Sequence, residues 1–379
     1  MHWLALILVC GLGARRTGRL IEKFRTPQEV FRASANDLAA AGAPGSAAQS
    51  IASGCTFEDA VIQQQKMREA GAVAIPLTDP RYPQPLREIF DPPLVLFARG
   101  RVELLGTLTL AIVGTRRAST YGVAVTERLS ADLSRAGLTI ASGMARGIDT
   151  AAHRAALAAG GNTVAVFGCG VDVVYPAENR RLAAELAVKG LLLSEFPMGS
   201  PAHPQNFPIR NRVISGMSKG VIVVEGGQYS GSSITAKLAM EQGRELFAVP
   251  GNITNKLSWG PNLLIKQGAK LVQDWNDVIE ELPAEDRRTL IREGQSRILA
   301  EGGQAAGEAA SQAALPFGPN SEIARAALGR LQADTPTHID KLLETLENYS
   351  SSEIIAALFE LEMLGLVRQL PGRNFVKVW

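Results

Sequence analysis

Residues 108–149 read LTLAIVGTRRASTYGVAVTERLSADLSRAGLTIASGMARGID and point to the fold class of the chain. Two short apolar runs, Leu108–Val113 and Leu138–Ser142, flank a longer segment with helical spacing, Val125–Ala136. A strand, a helix and a second strand in this order predict two parallel strands joined by a crossover helix. Each apolar run ends in a loop that is rich in glycine and in residues with hydroxyl or guanidinium groups.

The same alternation of apolar runs and helical segments continues toward the carboxyl end. Another helical segment is Arg180–Val188, and the further apolar runs are Thr163–Phe167, Leu191–Ser194, Val221–Val224, Leu246–Val249 and Lys270–Val272. Nearly continuous apolar strands that alternate with helices predict a mostly parallel sheet covered on both faces. We therefore expect an α/β, Rossmann-like, doubly wound domain over residues 76–293, with its ligands at the carboxyl ends of the strands.

Residues 1–75 are rich in alanine and predict a small helical domain. Two glycine-bearing breaks, 11–13 and 43–45, each precede a helical stretch, which fits a SAM-like or helix-hairpin-helix pair as well as an ordinary helical bundle. In a helix-hairpin-helix pair, the hairpin amides would face a DNA phosphate, with Arg15 and Arg16 close by. The apolar start MHWLALILVC lacks a basic leader segment, and we interpret it as a buried helix and not as an export signal.

The carboxyl-terminal part of the chain predicts a flexible linker over 294–320 and a winged-helix domain over 321–379. The candidate recognition helix, 351–367, contains three glutamates and no lysine or arginine. Because an acidic helix would be repelled by the major groove, a sequence-specific regulator is disfavoured. Contact with protein, or autoregulation, suits this helix better.

The composition limits the class of protein. Hydrophobic residues make up 46% and charged residues 20% of the 379 residues, as in a globular protein. The formal net charge is only +2, so any nucleic-acid surface has to be a local patch. Three scattered cysteines and four histidines predict neither a disulfide framework nor a zinc site. No apolar run approaches the roughly 20 residues that span a bilayer. We expect a cytoplasmic protein with no membrane association, no metal and no cofactor.

The loops after the predicted strands carry groups that bind phosphates. Glycine lets a ligand approach the backbone, serine and threonine offer hydroxyl groups, and arginine offers a charged planar fork. One such loop alone would be an ordinary strand-to-helix turn, so the prediction depends on their number. The candidate DNA-binding residues are Gly114, Thr115, Arg116, Ser119, Ser142, Gly143, Arg146, Gly147, Gly168, Asn179, Arg180, Arg210, Asn211, Arg212, Ser230, Gly231, Ser232, Ser233 and Lys237.

We assign no catalytic residue from the sequence. Asp149 stands where it would cap a helix, His153 is interpreted as structural, and Cys169 between two glycines as a small packing residue. The loop 225–237, EGGQYSGSSITAK, is suited to cradle an anion at a helix start. It does not match the Walker pattern, and the glycine pattern of dinucleotide-binding proteins is also missing after the first strand.

Seven segments over residues 108–269 together resemble the DNA-processing protein A family, also called DprA or Smf. In chain order they are IVGTRRASTYG, SGMARGIDTAAHRAAL, VFGCGVDVVYPAENRRL, SEFP, FPIRNRVISGMS, VVEGGQYSGSSITAKLAMEQGRELFAVPGN and GPNLLIKQGA. The resemblance implies a non-enzymatic protein that binds and protects single-stranded DNA during natural transformation. It also implies loading of the RecA recombinase, displacement of single-strand-binding protein, and a homodimer formed through the Rossmann-like domain.

Carried onto this sequence, the resemblance implies a DNA pocket that contains Arg116, the loop 142–147, Asn211 with its flanking arginines, and the segment 230–233. Sequence-independent strand binding also needs stacking of bases on aromatic rings. The candidate rings are Tyr121, Phe167, Tyr175, Phe207 and Tyr229. Since only ten residues precede Gly11, the first helix of a hairpin pair is expected to be truncated.

The competing interpretation is a nucleotide-processing enzyme. The segment GGQYSGSSIT resembles the P-G-G-x-G-T-x-x-E loop of nucleotide phosphoribohydrolases, which have a related Rossmann-like fold. That loop uses its glutamate in catalysis. Here Thr235 stands where the glutamate would fall, and Glu225 stands where the proline would be. Hydrolysis is therefore the less favoured function.

Overall fold

The computed structural model describes residues 1–228, 230–290, 322–332, 337–346, 349–363, 366–370, 372 and 374–377. The chain divides into two compact units, Met1–Ile291 and Arg292–Trp379. The predicted linker, 294–320, and the candidate ring of Tyr229 lie outside the described residues.

Six helices come first in the chain. They are α1 (His2–Ile7), α2 (Gly13–Phe24), α3 (Pro27–Arg32), α4 (Ala35–Ala40), α5 (Gly45–Ser53) and α6 (Phe57–Ala70). The apolar start of the chain is the buried helix α1, whose Leu4 and Ala5 pack with Phe97 of the central sheet. Helix α2 begins at Gly13 and α5 at Gly45, so the two glycine-bearing breaks mark helix starts.

The central sheet has nine strands in the order β1-β2-β6-β5-β4-β3-β7-β8-β9. The strands are β1 (Ala72–Pro76), β2 (Val95–Gly100), β3 (Thr109–Val113), β4 (Thr139–Ser142), β5 (Thr163–Phe167), β6 (Leu191–Ser194), β7 (Gly220–Val223), β8 (Glu245–Ala248) and β9 (Lys270–Leu271). Strands β3 to β9 pair in parallel, which confirms the predicted mostly parallel sheet.

The first two strands were not predicted from the sequence. β1 pairs with β2, and β2 with β6, both in antiparallel fashion. β1 follows α6 after a single glycine and lies at the sheet edge, where only its Ala72 and Ile75 are buried. Its sequence, AVAIP, is apolar like the runs of the parallel strands, so the sequence did contain a signal for it. The strand also shows that residues 72–75 are not helical, contrary to the expectation for residues 1–75.

Helices cover the sheet between the strands. They are α7 (Gln84–Arg87), α8 (Thr120–Arg135), α9 (Ile148–Ala158), α10 (Arg180–Lys189), α11 (Asn206–Gly216), α12 (Gly231–Glu241), α13 (Trp259–Lys266) and α14 (Asn276–Glu281), with short 3-10 turns at Val102–Gly106, Ala177–Asn179 and Lys256–Ser258. Separate apolar clusters contain alternate residues of β5, such as Val164 and Val166 in one and Ala165 and Phe167 in another. This alternation shows that both faces of the sheet are buried.

The order of the strands reverses at β3. β3 pairs with β4 on one side and with β7 on the other, so the chain leaves it in opposite directions. In an open parallel sheet a crevice forms at the carboxyl ends of the strands at such a reversal. The loops that follow β3 and β7 therefore form the walls of a natural ligand site.

The second unit has the elements of a winged helix. They are α15 (Glu322–Arg330), β10 (Thr337–His338), α16 (Ile339–Thr345), α17 (Ser351–Met363), β11 (Val367–Leu370) and β12 (Asn374–Lys377). The three strands pair in the order β10-β12-β11, which adds β10 to the predicted two-stranded tail. The unit has its own core, in which Ile354 and Leu358 of α17 pack with Phe375. In the part of the chain that the structure describes, none of the helices is both long and apolar enough to cross a bilayer.

Candidate functional site

A cavity of about 670 Å³ lies at the carboxyl ends of the strands, at the reversal point of the sheet. The loop after β3, the loop after β4, helix α11 and the start of α12 all contribute to its lining. Eight of the predicted site residues line it: Gly114, Thr115, Arg116, Arg210, Asn211, Ser230, Gly231 and Ser232.

Phe207 of α11 is the aromatic centre of this cavity. The guanidinium carbon of Arg116 lies 5.4 Å from the centroid of its ring, and that of Arg210 lies 5.9 Å from it. The ring of Tyr175 stands 5.5 Å away at an interplanar angle of 38°. Because guanidinium groups are attracted to the face of an aromatic ring, the cluster holds positive charge beside an apolar surface.

Helix α12 begins at the cavity wall. Ser230 is its N-cap, and the Ser230 hydroxyl accepts a bond from the amide of Ser233 at 3.4 Å. The same hydroxyl lies 2.7 Å from the hydroxyl of Ser232. Hydroxyl groups at the positive end of a helix dipole favour a bound anion. Arg116 and Arg117 line the same cavity and provide further positive charge.

Arg210 forms part of the cavity wall from a buried position. Its Nη1 donates to the carbonyl oxygen of Gly143 at 2.8 Å and also to that of Val166. Burial lowers the pKa of Arg210 to about 10, although the negative charge of Asp149 opposes this effect. The guanidinium therefore stays charged at neutral pH and ties the ends of β4 and β5 to helix α11.

Asp149 braces the loop that precedes its own helix and does not cap the start of that helix. Its Oδ2 accepts bonds from the amides of Gly143 at 3.1 Å and Ala145 at 3.2 Å. The N-cap of α9 is Gly147. Burial raises the pKa of Asp149, while Arg210 and the backbone amides act in the opposite direction. The side chain thus holds the loop after β4 in the shape that receives Arg210.

Two glycines allow the loops after β3 and β4 to pack together. Gly147 has a φ of +74°, and a Cβ there would lie 2.3 Å from the carbonyl oxygen of Thr115. A Cβ on Gly114 would lie 2.5 Å from the side chain of Ile148. Larger residues would separate the loops, so the shape of the cavity floor depends on these two positions.

Comparison with known proteins gives the family. The family model of DNA recombination-mediator protein A matches residues 73–283, which is more than half of the chain. The chain belongs to this family. The model of the DprA winged helix domain matches residues 308–373.

Curated relatives agree with this assignment. Protein Smf of Escherichia coli (strain K12) is 39% identical over 306 residues, which cover 79% of this chain and 75% of that protein. DNA processing protein DprA of Bacillus subtilis (strain 168) is 46% identical over 217 residues, which cover 57% of this chain and 73% of that protein.

Solved structures of the family resemble the chain as well. The X-ray structure of DprA from Streptococcus pneumoniae has a TM-score of 0.68 at 36% identity, covering 75% of this chain and 98% of that one. DNA processing protein A from Helicobacter pylori has a TM-score of 0.51 at 30% identity, covering 59% and 96%. That structure is described as giving insight into a single-stranded DNA binding mode.

Three predicted site residues of this family member hold the framework and do not line the cavity. The hydroxyl of Ser142 is buried and donates to the carbonyl of Ile112 at 2.6 Å. The amide group of Asn179 donates to the carbonyl of Met144 at 2.9 Å. The hydroxyl of Ser119 caps α8 and donates to Glu225 at 2.5 Å.

Arg212 lies on the side of α11 that faces away from the cavity. Its Nη2 lies 2.6 Å from the carboxylate of Glu195, and its Nε lies 3.0 Å from that of Asp91. Burial raises the pKa of Glu195 to about 6, whereas Arg212 acts to lower it. The predicted phosphate contact of Arg212 is therefore replaced by an internal ion pair.

The remaining predicted residues are outside the cavity lining as well. Arg146 pairs with Glu178, Arg180 is exposed at the start of α10, and Lys237 lies 3.8 Å from Glu241. Ser233 belongs to the first turn of α12. Gly143, Gly147 and Gly168 are needed for their small size, because a Cβ at any of these positions would clash with a neighbouring group.

The sequence-based interpretations of His153 and Cys169 agree with their surroundings. His153 is buried, its Nδ1 lies 2.7 Å from the hydroxyl of Thr163, and burial lowers its pKa to about 3. Burial raises the pKa of the Cys169 thiol to about 11, and the thiol donates to the carbonyl of Val173. Neither group has the character of a nucleophile or general base at neutral pH.

Two candidate rings are absent from the cavity lining. Phe167 is 2% exposed and belongs to an apolar cluster of the sheet. The hydroxyl of Tyr121 donates to the carbonyl of Pro250 at 2.7 Å. Only Tyr175 and Phe207 of the described candidates reach the cavity.

Sequence reasoning missed several lining residues, among them Arg117, Asp149, Ile214 and Thr235. The sequence did contain a pattern that could have identified the lining residues of α11. Phe207, Arg210, Asn211 and Ile214 follow the spacing i, i+3, i+4, i+7, which places them on one face of a helix. Within the described ranges no group of three His, Cys, Asp or Glu side chains is placed to hold a metal ion.

Replacing Gly143 with alanine tests the role of Arg210 in the framework. A Cβ at this position would lie 2.6 Å from Nη2 of Arg210 and 2.7 Å from its Cζ. Because the guanidinium is held by buried carbonyls, we expect Gly143→Ala to lower the free energy of unfolding by about 1–3 kcal/mol. Urea unfolding measures the loss.

Gly106→Ala is the matched control, since a Cβ at Gly106 meets nothing within 4 Å. This substitution should leave stability unchanged or raise it slightly by restricting the unfolded chain. Equal urea midpoints for the two variants would show that Arg210 has room to move and does not set the shape of the loop.

Proposed function

We propose that the cavity binds single-stranded DNA and that the protein acts as a recombination mediator without catalytic activity. The observation that carries this proposal is the cluster around Phe207, where two guanidinium groups and a second ring surround an aromatic face beside a helix start. A single strand offers the two matching chemistries, which are phosphates and unpaired bases.

The phosphate contacts belong to the outer part of the cavity. Arg116 and Arg117 are exposed, and neither forms an ion pair with a described residue. Ser230 and Ser232 offer hydroxyl groups at the start of α12, and Gly231 between them adds no side chain there. Buried Arg210 already donates to two carbonyl groups, so its role is to shape the wall and supply positive potential. The exposed arginines are thus the groups that a phosphate reaches first.

The base contacts belong to Phe207 and Tyr175. Both rings line the cavity, and their centroids are 5.5 Å apart at an angle. Stacking on an aromatic ring contributes about 1–3 kcal/mol per base and tolerates every base, since each base has a π-face. We expect binding that depends little on sequence.

An enzymatic role has less support from the same cavity. Asp149 lines it, yet its carboxylate already accepts two backbone amides. Glu225 accepts bonds from both the amide and the hydroxyl of Ser119. Thr235 lines the cavity at the position where the related hydrolase loop has its glutamate. These carboxylates hold loops in place, and general-base catalysis requires a carboxylate aimed at a substrate.

The wider role is proposed on the basis of the family. Relatives are named DNA processing proteins, and the family model is that of a recombination mediator. The proposal extends to protection of incoming strands in natural transformation, loading of RecA and displacement of single-strand-binding protein. It also includes a homodimer, which light scattering at micromolar concentration would detect, and a cytoplasmic location, which cell fractionation would test.

Arg116→Ala should weaken binding to a single-stranded oligonucleotide by roughly ten- to hundredfold, as expected for loss of a hydrogen bond to a charged group. The slope of log affinity against log salt should also become shallower by about 0.7, the contribution of one phosphate contact. Fluorescence anisotropy measures both quantities. Arg180→Ala and Lys237→Ala are the controls, because both residues are exposed but lie outside the cavity lining. If all three variants lose affinity equally, the cavity is not the binding site.

Loading of RecA is tested on a strand coated with single-strand-binding protein. The wild-type chain should shorten the delay before RecA filaments form, because it holds the strand while the coating protein leaves. The Arg116→Ala variant should lengthen the delay again. A delay that is the same with and without the wild-type chain would contradict the mediator role and leave strand binding intact.

The absence of catalysis is tested with labelled single strands, ATP and nucleoside monophosphates, each with magnesium or manganese. No turnover is expected, since the carboxylates around the cavity are engaged by backbone or hydroxyl donors. Turnover that co-purifies with the chain and disappears in a folded Asp149→Asn variant would favour the enzyme instead.

A further inference from the structure

Helix α2 carries a concentrated positive charge that the cavity does not use. Between residues 15 and 25 the chain has five cationic side chains and one acidic side chain, Glu22, although its formal net charge is only +2. The cations are Arg15, Arg16, Arg19, Lys23 and Arg25, and all five are exposed. None forms an ion pair with any described residue.

The opposite side of α2 explains why the cations face outward. Leu20 is fully buried, and Ile21 and Phe24 pack against the same apolar cluster of the amino-terminal helices. With its apolar side fixed in this cluster, the helix has to present its basic side to solvent. The charge is therefore a permanent surface of the folded unit.

An exposed aromatic ring stands next to this basic side. Phe90 is 82% exposed. The guanidinium carbon of Arg15 lies 4.9 Å from the centroid of its ring. Arg15 and Phe90 thus form a cation–aromatic pair similar to the pair of Arg116 and Phe207 in the cavity.

The basic side of α2 lies on the same edge of the sheet as the cavity. β2 runs antiparallel to β6, with Phe97 opposite Ser194, so the residues before β2 lie beside the carboxyl end of β6. A small cavity of about 140 Å³ is lined both by the first turn of α2 and by Glu195, the residue after β6. The start of α2 thus sits at the carboxyl edge, where the DNA-binding loops also lie.

An ion pair joins the loop of Phe90 to the helix that lines the cavity, on the side of that helix facing away from the cavity. Asp91, the neighbour of Phe90, lies 3.0 Å from Nε of Arg212. Arg212 belongs to α11, the helix that contributes Phe207 and Arg210 to the cavity. The loop that presents Phe90 is therefore held directly against the helix that presents Phe207.

We infer that the basic side of α2, together with Phe90, is a second contact surface for the same single strand, which continues onto it from the cavity. This inference rests on the proposed function of the cavity. Single-stranded nucleic acid is the occupant that fits, because its phosphates match the five cations and its unpaired bases can stack on an exposed ring. A duplex would match the charge but hides its base faces. The surface lengthens the occluded site and does not add a separate one.

The test compares oligonucleotides of about 5 and about 30 nucleotides, lengths chosen around the site sizes of about 4–16 nucleotides that are common for strand-binding domains. The variant Arg15→Ala, Arg16→Ala, Arg19→Ala should bind the long strand at least about tenfold more weakly, with a salt slope shallower by about 2. Its affinity for the short strand should be unchanged. Phe90→Ala should weaken binding of the long strand by roughly five- to hundredfold through lost stacking.

The matched control is Arg68→Ala, Arg154→Ala, Lys266→Ala, which removes the same charge from exposed positions on other helices. Thermal melts confirm that each variant is folded. If the α2 triple variant binds both strands like the wild type, or no more weakly than the control triple, the inference is overturned while cavity binding stands. Equal loss for duplex and long single strand, with Phe90→Ala unaffected, also overturns it. Failure of the wild type to bind either strand would instead refute the proposed function of the cavity.

Discussion

The buried guanidinium of Arg210 is the interaction on which the cavity depends. It joins α11 to the ends of β4 and β5 by donating to the carbonyls of Gly143 and Val166. Asp149 holds the loop that contains Gly143 and offsets part of the buried charge. A buried charge is tolerated only when its hydrogen-bond donors have partners. The bonds of Arg210 therefore fix the positions of α11, β4 and β5 relative to one another.

The alternation of apolar runs and helices allowed the parallel sheet to be predicted, because buried parallel strands need continuous apolar sequence. Strand bounds differ from prediction by one residue at most, as with β7 at Gly220–Val223. The strands β1 and β2 were missed although both contain apolar runs, AVAIP and VLFA, and although β2 lies inside the sheet between β1 and β6. The winged-helix elements followed from amphipathic spacing, and β10 is too short to leave a pattern.

The candidate site could be predicted only in part, because a loop composition does not reveal which way a side chain points. Arg210 and Arg212 were predicted as equals, yet they are two residues apart on α11 and cannot share a face. Helical spacing would have separated them, since Phe207, Arg210 and Asn211 lie on one face. The roles of Ser142 and Asn179, in contrast, could not have been predicted from helical spacing. Their hydroxyl and amide groups satisfy backbone carbonyls of neighbouring loops, and only the packed tertiary structure shows where those carbonyls are.

The net charge of the chain is near zero because its 39 lysines and arginines are nearly balanced by 37 aspartates and glutamates. Arginines that hold the framework meet carboxylates or carbonyls inside the protein, as Arg212 does with Glu195 and Asp91. Exposed arginines without an ion pair to a described residue occur at the cavity mouth and on α2, both at the carboxyl edge of the sheet, and also on other helices, as at Arg68 and Arg154. Since exposed charges are screened within about 10 Å at moderate salt, a strand responds to this local arrangement and not to the total charge. A protein of formal charge +2 can therefore attract a polyanion through a local cluster of cations.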